Sequence, residues 1–243
     1  MEIRICKNSE ELGKSAAKYV AEVLKGCIAE KGSARIVLST GASQFDTIKA
    51  LVKEPGIKWD CVEMFHLDEY VDLPITHVAS FRKYLQERFV DKVGALKAVH
   101  FVDGTREGIA NLTEEIRKEP IDIGLIGIGE NGHIAFNDPP ADFDTKEAYI
   151  VVDLDERCKK QQMGEGWFAT LEDVPNQAVS MTTYQIMQCK VIVSCVPHAV
   201  KAEAIENTIK AEATTNMVPA TLLKEHENFI LYLDENSASR IMK

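Results

Sequence analysis

The chain has 243 residues, of which 45% are hydrophobic and 27% charged, and its formal net charge is -10. These values fit a globular protein with a sizeable core and argue against disorder. An acidic surface disfavours non-specific nucleic-acid binding and anionic membranes, but not a small anionic substrate, because backbone N–H groups and one or two cations can build a local phosphate site.

Short β-branched runs alternate with longer helical patterns along the chain. Residues 3–6 read as a strand. Residues 9–29 read as a helix with Leu12, Ala16, Tyr19, Val20, Val23 and Leu24 on one face. Residues 34–38 form the next strand, and Ser39-Thr40-Gly41-Ala42-Ser43 opens a helix that runs to about Val52. Residues 61–65 are β-prone. Residues 80–93 are helical, with Phe81, Leu85, Phe89 and Val93 on one side. A short strand over 99–102 precedes a helix over 105–118. Residues 121–128 form a continuous apolar run that suits a buried parallel strand. Further strands are predicted over 148–152, 191–195 and 229–233, with a helix over 201–209. Pro139-Pro140 and the polar stretch 164–176 mark loops.

This alternation predicts an α/β fold, a Rossmann-like three-layer sandwich with a mostly parallel sheet, in a single domain over 1–243. Neither a signal peptide nor a membrane-spanning stretch is apparent behind Met1-Glu2-Ile3-Arg4. The six cysteines, Cys6, Cys27, Cys61, Cys158, Cys189 and Cys195, form no CxxC pair. Reduced thiols in a cytoplasmic protein are expected, with no zinc site.

Ligands of open parallel sheets bind beyond the carboxyl ends of the strands. Three segments carry polar residues at such ends. In the first, residues 38–43, small side chains and Gly41 let the backbone approach an anion, although taken alone a tight turn with Ser43 capping the helix is the commoner reading. In the second, Phe65-His66-Leu67-Asp68-Glu69-Tyr70, a carboxylate beside an apolar wall can act as a base toward a carbon acid. Alternatively, Asp68 or Glu69 caps the following turn. The third, residues 126–139, bends at Gly127, Gly129 and Gly132 and then presents His133 between Asn131 and Asp138. An imidazole needs a partner on one nitrogen to fix its proton, and both neighbours are candidates.

The third segment, GIGENGHIAFNDP, resembles the signature of the glucosamine-6-phosphate deaminase family. FHLDEY resembles the family's FxxDEY segment, and STGAS its phosphate-binding turn. Order and spacing agree for all three, and the resemblance extends over nearly the whole chain. His-Ile-Ala-Phe-Asn separates these proteins from the related 6-phosphogluconolactonases, whose motif usually continues His-Thr-Ala-Ser.

The resemblance implies conversion of glucosamine 6-phosphate to fructose 6-phosphate and ammonia without metal or organic cofactor, within amino-sugar metabolism and N-acetylglucosamine catabolism. It implies that Asp68 moves the proton between C2 and C1, and that His133 opens the sugar ring, oriented by Asn131 and Asp138. It places the phosphate on Thr40, Gly41, Ala42 and Ser43, with Lys201 as its cation. The expected partner is a small sugar phosphate rather than nucleic acid or a membrane, and a homo-oligomer is compatible with the family.

This chain also departs from the family pattern. Asn131 replaces a frequent Asp, and Asp138 a frequent Glu. A second phosphate-binding position, usually Arg, falls near Gln162, for which Arg157, Lys159 and Lys160 are candidate substitutes. Residues 141–150 lack the basic residues with which some members bind an activator. The alternatives are therefore a galactosamine-6-phosphate isomerase, a lactonase, and a non-catalytic sugar-phosphate sensor.

Overall fold

A computed structural model describes residues 1–242 of the chain. Seven strands form one sheet: β1 (Glu2–Cys6), β2 (Ala34–Leu38), β3 (Val62–His66), β5 (Ala98–His100), β6 (Ile123–Leu125), β9 (Val191–Val196) and β10 (Phe229–Asp234). Their order is β1-β10-β9-β6-β2-β3-β5, and every pairing is parallel. Helices α1 (Ser9–Lys31), α2 (Phe45–Leu51) and α3 (Phe81–Leu85) pack on one face of this sheet. Helices α5 (Arg106–Arg117) and α8 (Ala202–Lys210) pack on the other; α3 runs on through a π-helical turn over Gln86–Val90 into α4 (Asp91–Val93), the helix expected over 80–93. The expected three layers and parallel sheet are present.

Local sequence explains the helix ends. The Asn8 side chain accepts the Glu11 N–H at 2.9 Å to start α1, and Gly32, at φ 80°, ends it in the left-handed conformation. Thr105 caps α5 by accepting the Gly108 N–H. The expected face of α1 is the buried one: Leu12, Ala16, Val20 and Leu24 lie against Ile36, Leu38, Val193 and Tyr232. Ser43 does not cap α2, contrary to one expectation. A 3-10 turn over Ala42–Gln44 comes first, and the Ser43 hydroxyl instead accepts from Gln44 Nε2.

A second sheet has no counterpart among the expected elements. It is antiparallel, with order β4-β8-β7, formed by β4 (Asp68–Tyr70), β8 (Gln177–Met181) and β7 (Tyr149–Asp153). The predicted strand over 148–152 therefore belongs here and not to the parallel sheet. Helix α6 (Glu156–Gly164) leads from β7 toward the loop that precedes β8, and α7 (Thr183–Ile186) follows β8. Tyr70, Phe81, Phe136, Phe168 and Ala178 form a separate apolar cluster beneath this small sheet.

Strand register sets up the site. Leu38 pairs with both His66 and Leu125, and Leu125 pairs with Val193. β2, β3, β6 and β9 therefore end at nearly one level, and the chain leaving each of them enters the same space. All six cysteines are free thiols. Among the described residues, no helix is long and apolar enough to cross a membrane.

Candidate active site

One cleft lies over these strand ends. It is lined by Ser39, Thr40, Gly41 and Ser43 after β2, Leu67 and Asp68 after β3, the chain after β6 including Gly129 and His133, and Lys201 after β9. Gln161, Gln162 and Glu165 from the end of α6 close its fourth side. The three motifs and Lys201, up to 162 residues apart in sequence, thus meet in one place.

The two neighbouring carboxylates of the second motif have opposite surroundings. Glu69 is fully buried and saturated: it accepts from the Ser80 hydroxyl at 2.8 Å, the N–H groups of Phe81 and Arg82 at 3.2 and 2.9 Å, and Arg82 Nε at 3.2 Å. It anchors the start of α3, as the capping alternative describes. Asp68 alternates to the other face of β4, which is held by pairing with Ser180. It is 6% exposed and faces Leu67, Phe81 and Phe136 across the cleft. Burial, and secondarily the Glu69 charge, push its carboxyl up to about 8. Such a group can take a proton from carbon near neutral pH.

The loop after β6 is shaped around His133. A Cβ on Gly129 would lie 2.3 Å from the His133 ring, so only glycine lets the imidazole lie across this backbone. The loop is closed by the Gly129 N–H donating to the His133 carbonyl at 2.8 Å. Asn137 Nδ2 donates to the carbonyls of Ile134 and Met181, and the Phe136 N–H to the Ser180 hydroxyl, tying the loop to β8.

His133 Nδ1 lies 2.9 Å from Asp138 Oδ1, at an oblique angle to the ring N–H. That contact leaves Nε2 as the nitrogen available to a ligand. Asn131 touches the imidazole ring on neither nitrogen, which decides between the two candidate partners. Its Oδ1 accepts the His133 backbone N–H at 3.0 Å, and its Nδ2 donates to Asp138 Oδ1 at 3.1 Å. Burial tends to raise the Asp138 carboxyl, but His133, Asn131 and the Cys158 thiol outweigh it and hold Asp138 below the usual carboxylate range. Asn131 and Asp138 thus stand behind His133 rather than in the cleft wall.

The Cys158 contact is one that spacing along the chain hides. The ligand-type atoms of His133, Asp138 and Cys158 lie within 4.8 Å of one another. The thiol is buried, and burial with the Asp138 charge pushes its ionisation far upward, so it stands here as a neutral thiol rather than a thiolate ligand.

At the opposite end, Gly41 (φ 98°) turns the chain after β2, and its carbonyl accepts from the Tyr84 hydroxyl at 3.1 Å. Lys201 is 5% exposed, and burial lowers its ammonium from the usual lysine range. A lysine in a helix is ordinarily solvated, and this one is not.

The suggested substitutes for a second phosphate-binding cation lie elsewhere. Cys158 and Gln162 form the buried face of α6, so residues on its other faces point away. Lys159 donates to Asn176 Oδ1, Lys160 pairs with Glu156, and Arg157 is exposed outside the cleft. Gln162 is fixed by the Tyr70 hydroxyl, which donates to its Oε1 at 2.8 Å. Gln161 and Glu165 belong to no sequence motif. Both sit in a polar stretch that carries no periodic signal, and only folding of α6 over the cleft reveals them.

A parallel sheet whose strand ends gather an isolated carboxylate, a histidine–aspartate pair and a buried lysine has the form of an α/β enzyme with an acid–base site. The chain belongs to the family of glucosamine-6-phosphate isomerases and 6-phosphogluconolactonases, whose model matches residues 7–231. It is 36% identical to the glucosamine-6-phosphate deaminase of Shouchella clausii, over 98% of this chain and 97% of that protein. Among solved structures, a monomeric glucosamine-6-phosphate deaminase superposes with a TM-score of 0.88 at 26% identity, covering 99% of this chain and all of the other. The 6-phosphogluconolactonase of Trypanosoma cruzi shares the fold, with a TM-score of 0.78 at 15% identity.

Proposed function

We propose that this protein is a glucosamine-6-phosphate deaminase, an aldose–ketose isomerase that releases ammonia and leaves fructose 6-phosphate. The observation that carries this reading is the contrast between Asp68 and Glu69. One carboxylate is saturated with donors, while its neighbour is dry, unpaired and turned into the cleft that holds His133. A lactonase needs a base for water at the ester carbonyl; a dry carboxylate against Leu67, Phe81 and Phe136 suits a proton held on carbon.

In this reading, His133 Nε2 moves the proton between the ring oxygen and the anomeric hydroxyl, while Asp138 holds Nδ1. Ring opening frees C1. Asp68 then takes the C2 proton and returns it to C1, and hydrolysis of the resulting imine releases ammonia. Asn131 positions both His133 and Asp138. The phosphate lies on residues 40–43 with Lys201, and its anchoring aligns C1 and C2 with the two acid–base groups. These steps use side chains alone, so we propose that no metal or cofactor takes part: a chelator should leave activity unchanged, and loss restored by a metal would refute this. The free thiols support a cytoplasmic location.

The experiment is a substrate panel read by ammonia release, with solvent deuterium exchange at C2. Glucosamine 6-phosphate should turn over with exchange. A kcat/KM strongly favouring galactosamine 6-phosphate would change the sugar and keep the mechanism. Turnover of a lactone alone would refute it.

A further inference from the structure

The end of the cleft assigned to the phosphate already holds an anion. Glu165 Oε2 accepts the Ala42 backbone N–H at 3.4 Å and lies 3.5 Å from where a Cβ on Gly41 would stand. The same oxygen accepts from Trp167 Nε1 at 3.1 Å, and Oε1 accepts from Gln161 Nε2 at 3.0 Å. Glu165 thus spans from the end of α6 to the turn after β2, across 123 residues of sequence. Lys201, nearly fully buried, lines the same end, and Glu165 is the carboxylate that acts on it most strongly. One cation and one carboxylate share a space that a phosphate monoester, carrying about -1.5 to -2 charges at neutral pH, must enter.

From this geometry, and resting on the deaminase reading of the cleft, we infer that Glu165 is a resident anion on the turn 40–43, which an incoming phosphate displaces. Both anions would use the Ala42 N–H, and their charges repel at close range in a partly dry site. Displacement needs a segment able to move. Gly164 and Gly166 flank Glu165, neither has a neighbour where a side chain would be, and Gly166 sits at φ 83°. Trp167 donates to the carboxylate and lies edge-on to Phe45 and Tyr84, so its indole senses departure of Glu165. The consequence is selectivity: a dianionic phosphate competes for the turn and Lys201, whereas a neutral hydroxymethyl group leaves Glu165 in place. Glu165 is therefore a specificity-determining residue, which sets a threshold that only strongly charged ligands pass.

The test uses inorganic phosphate as probe, on the full chain carrying Trp59→Phe so that fluorescence reports Trp167. Glu165→Gln in that background keeps the size and polarity of the side chain and removes its charge. Phosphate should quench or shift Trp167 emission in the parent, and the dissociation constant for phosphate should fall at least roughly tenfold in Glu165→Gln, since a like charge is removed from the site. Affinity for glucosamine 6-phosphate should rise in parallel, and affinity for glucosamine should not change. Unchanged or weaker phosphate binding in Glu165→Gln overturns the inference, because Glu165 would then be neutral toward the ligand or one of its partners. So does a Trp167 signal that ignores phosphate. Phosphate binding needs no turnover, so tightened binding in Glu165→Gln, with a parent chain that processes no amino sugar, would uphold the resident anion while refuting the deaminase.

Discussion

Asp68 and Glu69 are adjacent in sequence and chemically alike, yet their surroundings assign them different work. The alternation of side chains along β4 turns one toward α3 and the other toward the cleft. Asp68→Asn should keep the fold and sugar-phosphate binding, lower kcat by roughly two to four decades, and abolish C2 exchange. Normal exchange in that variant would remove Asp68 from the mechanism. The raised carboxyl also fixes a pH dependence. As the proposed base, Asp68 acts in its ionised form, so kcat/KM of the free enzyme should rise as pH approaches the Asp68 value of about 8. Stability runs the other way. The folded state holds this proton more tightly than the unfolded chain, so ionising Asp68 costs stability as pH rises from the unfolded carboxylate range, about 3.9, through about 8. Asp68→Asn should flatten that part of the stability curve and be the more stable protein at the alkaline end, which urea titrations at several pH values would measure. Asp138 has the opposite sign. Its lowered carboxyl contributes stability above the unfolded carboxylate range, and that contribution is lost on acidification through its folded value.

At the scale of elements, the loop after β6 and the start of α3 are the two devices that hold those side chains. Gly129→Ala would place a methyl 2.3 Å from the His133 ring, which must then leave Asp138. Activity should fall far more than stability, and a variant with normal kcat and an unshifted pH profile would show that ring position is unimportant. Glu69→Gln removes the charge that Arg82 and the α3 amides address, and should cost about 3 kcal/mol in unfolding free energy. A change within experimental error would mean that Ser80 alone suffices to start the helix. Legibility in the sequence follows the same division. β2, β3, β6, β9 and β10 are apolar runs of strand length, and α1 is a long amphipathic stripe, so pattern alone finds them. β4 is three residues, Asp-Glu-Tyr, and β8 reads Gln-Ala-Val-Ser-Met after a polar loop. Neither has a period to detect, because each is stabilised by its antiparallel partner rather than by its own composition. The site shows the same limit. Asp68, His133 and the turn 40–43 stand in dense local strings, whereas Glu165 and Cys158 acquire their neighbours only when α6 folds over the strand ends.

For the molecule as a whole, the order of strands decides how it comes apart. β1, the first element, pairs with β10, the last, from Glu2 with Ile230 to Cys6 with Asp234, so the two ends of the chain lie side by side on one edge. The two large apolar clusters lie on opposite faces of the same sheet: Val37 and Phe65 point into one, Ile36 and Met64 into the other. Neither cluster can open without exposing strands that the other covers. The small sheet is also tied in, through the Met181 N–H donating to the Leu67 carbonyl and the Tyr149 hydroxyl donating to the His66 carbonyl. We therefore expect one cooperative unit over residues 1–242 rather than separable halves. Equilibrium unfolding in urea should give a single transition, with far-ultraviolet circular dichroism, tryptophan emission and loss of activity sharing one midpoint. Trp59 packs on Phe89, while Trp167 donates to Glu165 beside the cleft and lies edge-on to Phe45 and Tyr84, so Trp167 reports the junction between the end of α6 and the helices of the parallel sheet. An earlier midpoint for Trp167 and activity than for the dichroism would overturn the single unit. It would show instead that α6 and the small sheet unfold first and leave the parallel sheet standing.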